Sequence, residues 1–67
     1  MRIIVVRILA WGQSRYHQAE LVYKNEYPSK KKITEDFYSQ YKHLYAEMIH
    51  FSINEMSEAD YNIFKKE

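Results

Sequence analysis

The densest group of potential metal ligands in the chain is His43, Glu47 and His50. On a continuous helix these positions share a face, and two imidazoles with a carboxylate suit zinc. The residues after Ala46 argue against such a helix, because Ile49, Phe51 and Ile53 alternate with His50, Ser52 and Asn54 as in a half-buried strand. Solvated side chains at a helix end and on a strand face are the expectation, with no metal and no cofactor. Near His17 nothing reads as a nucleophile with an orienting partner. Ser14 and Ser39 lack the glycine context of a nucleophile elbow, and a single glycine leaves no phosphate-cradling loop. A non-catalytic protein is therefore expected.

Binding chemistry is better represented. Arg7, Trp11, Arg15 and Tyr16 fall at one end of the first two elements, and Trp, Tyr and Arg are the residues that most often anchor protein interfaces. A second group, Lys30, Lys31 and Lys32 with Lys24, Tyr23 and Tyr27 upstream, mixes cations and aromatics as a surface for single-stranded nucleic acid does. Exposed positive charge is nearly all that phosphate contact needs, so a solvated loop before an acidic helix explains the same run. Glu55, Glu58 and Asp60 have an equally plain reading as a helix N-terminus.

The elements that must position these residues have to fit into 67 residues, read as one α+β domain near the lower limit for a self-sufficient core. With no cysteine there is neither disulfide framework nor thiolate metal site, which fits a reducing, cytoplasmic setting. The apolar run from Ile3 to Ala10 is far short of the roughly 20 residues of a membrane span, and no cleavage-type small residues follow it. Net charge is +1, yet residues 1–33 carry +5 and residues 34–67 carry −4, which excludes a uniformly basic nucleic-acid binder. Seven Tyr, three Phe and one Trp exceed what so small a core can hide, so several Tyr are expected at the surface as contact area.

Arg2 to Trp11 is apolar on both pleat faces, Ile4, Val6, Ile8 and Ala10 on one and Ile3, Val5, Leu9 and Trp11 on the other, as a central strand would be. Gly12-Gln13-Ser14 supplies a turn, with Gly12 free to take positive φ. Tyr16 to Tyr23 reads as a second strand hairpinned to the first, with a helix capped by Ser14 as the competing reading. Pro28 ends that element, and Ser29 to Lys32 reads as a solvated connection. Thr34 then caps the main helix, with Glu35 and Asp36 in its first turn and Ile33 stapled to Tyr38. Ile33, Phe37, Tyr41, Leu44 and Tyr45 form its apolar face, and Tyr38 lies at the rim. A third strand runs through Ile49, Phe51 and Ile53, and Ser57 caps a short last helix edged by Tyr61 and Phe64.

The order β-β-α-β-α predicts a small antiparallel or mixed sheet of order 2-1-3 packed on one main helix. The second face of the sheet, Ile3, Val5, Arg7, Leu9 and Trp11, is then covered either by the C-terminal helix or by another chain. The dense Tyr, compact order and A/T-heavy codon usage of Lys, Ile, Asn and Tyr are similar to small phage-encoded proteins that inhibit host enzymes or defence nucleases. No residue-level motif accompanies that likeness, so it assigns no functional residue. The function expected from the residues is a protein-binding module, of inhibitor or adaptor type, acting through the sheet face or a strand edge. A nucleic-acid-binding regulator using Lys24, Tyr27, Lys30, Lys31 and Lys32 is the alternative, and a homodimer is compatible with both.

Overall fold

Strand β1 (Arg2–Gly12) is buried at Ile3, Ile4, Val5, Val6, Ile8 and Ala10, as its two-sided apolar sequence requires of a central strand. In the computed structural model, which describes residues 2–66 with the side chains of Phe64 and Lys66 excepted, β1 is flanked by β2 (Arg15–Lys24) and β3 (Glu47–Ser57). Both pairings are antiparallel, giving the order β2-β1-β3. The main helix α1 (Lys30–Gln40) precedes a short 3-10 turn, Lys42–Leu44, and α2 (Glu58–Lys66) follows β3 directly. The fold is α+β in the order β-β-α-β-α, and residues 15–24 are strand rather than helix. Among the described residues no helix is long and apolar enough to cross a membrane.

The hairpin turn departs from the expected chemistry. Gln13 (φ 53°) and Ser14 (φ 62°) take the left-handed conformation, the pattern of a type I′ turn, while Gly12 does not. Gly12 is required for a different reason. A Cβ on it would stand 2.5 Å from both the Ala46 Cα and the Tyr45 carbonyl oxygen, because the chain entering β3 crosses directly over this point. Gln13 Nε2 donates to the Leu44 carbonyl at 3.0 Å and ties the same crossing.

Helix α1 begins earlier than its charge pattern implies. Ser29, not Thr34, is the N-cap, its hydroxyl accepting from the Lys32 amide at 3.2 Å, and Lys30 to Lys32 form the first turn instead of a loop. Glu35 and Asp36 lie beyond that turn, Thr34 Oγ1 donates back to the Lys30 carbonyl, and Ile33 is a core residue inside the helix rather than a staple before it. Starting at Lys30 is what lets Ile33 and Phe37, four apart and both fully buried, face Ile4, Val6, Ile8, Ala10, Ala19 and Leu21. Burial of each such side chain contributes about 2 kcal/mol.

The helix stops at Gln40, so Tyr45 is not on its core face. It sits in the left-handed region (φ 49°) and is 82% exposed. Tyr41 and Leu44 do pack against the core. On β3 a bulge where β1 steps from Leu9 to Ala10 turns Ile49 outward, leaving it 55% exposed, while Met48 and Phe51 take the core positions.

Candidate functional site

Alternation along the ladders assigns side chains to the second face of the sheet. Beside Ile3, Val5, Arg7, Leu9 and Trp11 stand Lys24, Val22, Glu20, Gln18 and Tyr16 of β2, and Met56, Asn54, Ser52, His50 and Glu47 of β3. Ile3 and Val5 are buried although outside the helix-covered core, and α2 packs against β1 and β3. One end of this face is thus closed by the chain's own last helix, with Tyr61 half-buried there. The side chain of Phe64, expected to share that task, lies outside the described residues. The other end is open: Leu9 is half-buried, Arg7 is exposed, and Trp11 and Tyr16 are 45% and 65% exposed. Of the two coverings expected for this face, the C-terminal helix accounts for the end with Ile3 and Val5, and the end with Leu9 and Trp11 stays open.

Within the open half, Trp11 and Tyr16 are directly opposed across the ladder, ring centroids 4.7 Å apart and planes at 69°. This edge-to-face contact holds both rings in one orientation, a geometry whose favourable quadrupole term adds about 1 kcal/mol. Between this pair and α2 lies a shallow depression lined by Arg7, Leu9, Gln18, Glu20, His50 and Ser52. Arg7 Nε is 3.9 Å from the Glu20 carboxylate, an exposed pair of little energetic weight. His17 Nε2 lies 2.9 Å from the Gly12 carbonyl on the opposite side of the hairpin end.

Of the four residues expected to form one contact group, Arg7, Trp11 and Tyr16 share the second face. Arg15 does not join them. It pairs with Gly12, and alternation sends its side chain to the α1 side with His17 and Ala19. Gln18, His50 and Ser52 were not read as site residues from the sequence, though their polar positions in the alternation carried the signal.

The basic group is divided as well. Lys24 leaves the sheet on the second face, opposite Ile3, whereas Lys30, Lys31 and Lys32 ride on α1. Lys32 is engaged, 3.7 Å from Asp36 Oδ2 and with its Nζ 6.0 Å from the Tyr23 ring centroid. Lys30 and Lys31 are exposed. Tyr27, 53% exposed, donates its hydroxyl to the Glu55 carboxylate, which also pairs with Arg2 Nε at 3.1 Å. That hydrogen bond holds the Tyr27 phenol proton on and raises its pKa.

Most of the tyrosine hydroxyls prove to be struts. Tyr23 donates to Asp36 Oδ2 at 2.5 Å, and burial, reinforced by this bond, pushes its pKa well above the usual phenol value. The Tyr41 hydroxyl donates to the Glu20 carbonyl at 2.9 Å and accepts from its amide at 3.4 Å. The Tyr38 hydroxyl accepts from the Met48 amide at 3.1 Å. One helix thereby touches both edge strands, an arrangement no local pattern announces.

His43, in the 3-10 turn, and Glu47 and His50, on β3, do not share a helical face. Among the described residues no three His, Asp or Glu side chains gather as a metal site. No protein-family model, curated protein or solved structure matches the chain.

Proposed function

We propose that the protein is a non-catalytic protein-binding module, an inhibitor or adaptor, that docks through the open half of its sheet. The observation that carries this reading is the Trp11–Tyr16 pair, oriented ring against ring yet largely exposed beside Arg7. Rings held in place lose little entropy on binding, and a partner gains contact area and a cation at low ordering cost. The shallow depression beside them suits a protruding side chain or loop better than an enclosed small molecule. Affinity capture with wild type and with a Trp11→Ala, Tyr16→Ala double variant tests it. A protein recovered by the first and lost by the second supports the reading; equal recovery removes the surface.

The nucleic-acid reading keeps one specific observation. Lys30, Lys31 and Lys32 occupy the first turn of α1, where they add to the positive end of the helix dipole instead of opposing it. Concentrated positive potential of this kind favours phosphate, and binding through it weakens steeply with salt. A mobility-shift titration at low salt in which no oligonucleotide is retained eliminates it.

A further inference from the structure

The two edges of the sheet are unlike. On β2 the Tyr41 hydroxyl engages both the amide and the carbonyl of Glu20, and Arg15, Glu20 and Lys24 place charge along the strand. Charged edge residues discourage pairing with another strand. On β3 the hydrogen bond from the helix is at the Met48 amide, accepted by the Tyr38 hydroxyl. From Ile49 to Ser57 the strand contains no Lys, Arg or Pro, its one carboxylate, Glu55, is engaged by Tyr27 and Arg2, and Ile49 and Ile53 are 55% and 39% exposed.

Ladder alternation identifies the free backbone groups. Because Glu20 turns its N–H and C=O away from β1, its partner Arg7 turns its own toward β3, where it faces Ser52. Ser52 therefore bonds inward, while its neighbours Phe51 and Ile53 direct N–H and C=O to the outer edge. Their side chains lie on the α1 face, Phe51 half-buried and Ile53 beyond the helix's cover.

We infer that β3 pairs antiparallel with β3 of a second copy of the chain, about a two-fold axis through Ser52. The segment His50-Phe51-Ser52-Ile53-Asn54 has the same polar and apolar order in both directions, which is the condition for self-pairing. In this register Phe51 of each copy faces Ile53 of the other, and their outward amides and carbonyls bond reciprocally. His50 faces Asn54, so no like charges meet. Centring on Phe51 would draw the bulge at Ile49 into the pairing and set Glu47 toward Glu55 of the other copy. Centring on Ile53 would set the Glu55 carboxylate against the Phe51 ring. The Ser52 register keeps Glu55 off the Phe51 ring and away from Glu47, its own meeting of the bulged Ile49 with Glu55 falls outside the central five residues, and it continues the three-stranded sheet of each copy into the other while covering Ile53.

The absence of cysteine makes the register directly testable. On the axis, Ser52 and its counterpart form a non-hydrogen-bonded pair with Cα atoms about 4.5 Å apart, within disulfide range. The two Asn54 residues would stand about 13 Å apart along the strands, outside it. Under mild oxidation S52C is expected to become a covalent dimer at least about tenfold faster than N54C, given that difference in reach. By sedimentation equilibrium the wild type should weigh twice 8.2 kDa, and Ile53→Lys should return it to 8.2 kDa with an unchanged far-ultraviolet dichroism spectrum. Ile53→Pro, which deletes only an outward-pointing amide, should do the same if the lysine variant fails to fold. A monomeric wild type at high concentration, a dimer that survives both Ile53 variants, or N54C cross-linking as fast as S52C overturns the inference.

Discussion

Replacing Gly12 by alanine would place a methyl carbon 2.5 Å from the Ala46 Cα, 2.5 Å from the Tyr45 carbonyl oxygen and 2.8 Å from the Ala46 Cβ. Two of these neighbours are backbone atoms, so no side-chain rotation relieves the overlap, and the chain between the 3-10 turn and β3 must move. That movement strains the Gln13 to Leu44 hydrogen bond and the burial of Ala46, which is 8% exposed. Overpacking against a rigid neighbour costs about 1–3 kcal/mol, and contact with main chain puts Gly12→Ala at the upper end, about 3 kcal/mol. A core of this size supplies only about 3–5 kcal/mol in total. Thermal unfolding followed by dichroism should then show a midpoint lowered by roughly 12–24 °C, at about 4–8 °C per kcal/mol for a chain of this length. An unchanged midpoint would refute the close crossing, and with it the claim that this glycine serves space rather than backbone conformation.

Other expectations follow from the hydroxyl struts. Tyr41→Phe should cost about 1 kcal/mol, the net worth of a hydrogen bond to backbone, and the Glu20 amide should lose protection in hydrogen exchange while the β1 amides keep theirs. The Tyr23 phenol is held protonated by burial and by Asp36, so its folded pKa lies above its unfolded value near 10. The stability it contributes is complete below about pH 10 and is lost as pH rises through the folded value. Denaturant titrations from neutral to strongly alkaline pH should show that loss in the wild type. Tyr23→Phe, lacking the titrating group, should lose less over the same interval; equal loss in both would contradict the assignment.

Much of the architecture is legible because it rests on alternation. The two apolar faces of Ile3 to Ala10 announce a central strand, and the polar and apolar order of residues 49 to 54 announces another. Ser57 caps α2 as read, its hydroxyl accepting from the Asp60 amide at 3.1 Å. The start of α1 was not legible, since three lysines in a first turn are repelled by the positive end of the helix dipole and only the tertiary need to bury Ile33 with Phe37 overrides that cost. Likewise the bulge that exposes Ile49, and the turn that parts Arg15 from Trp11, are properties of strand pairing rather than of any one segment. Gly12 misleads for the same reason: its constraint comes from Ala46, distant in sequence.

The candidate site was legible in its aromatic half. Trp11, Tyr16 and Arg7 could be placed together because they flank one hairpin, whereas Gln18, His50 and Ser52 join them only once register is known. The tyrosine excess, read as contact area, is spent mainly on tying α1 and the loop before it to the sheet. That narrows the proposed docking surface to Tyr16 with Trp11, while Tyr38 and Tyr41 bond the backbone of the two edge strands.

Trp11 is the sole tryptophan, so 5-fluorotryptophan labels the proposed docking surface at one position without substitution of any neighbour. With a captured partner added in excess, its fluorine resonance should shift, and the dependence of that shift on heavy water should fall as solvent leaves the ring. A partner that binds with the resonance and its solvent response unchanged would place recognition elsewhere on the molecule.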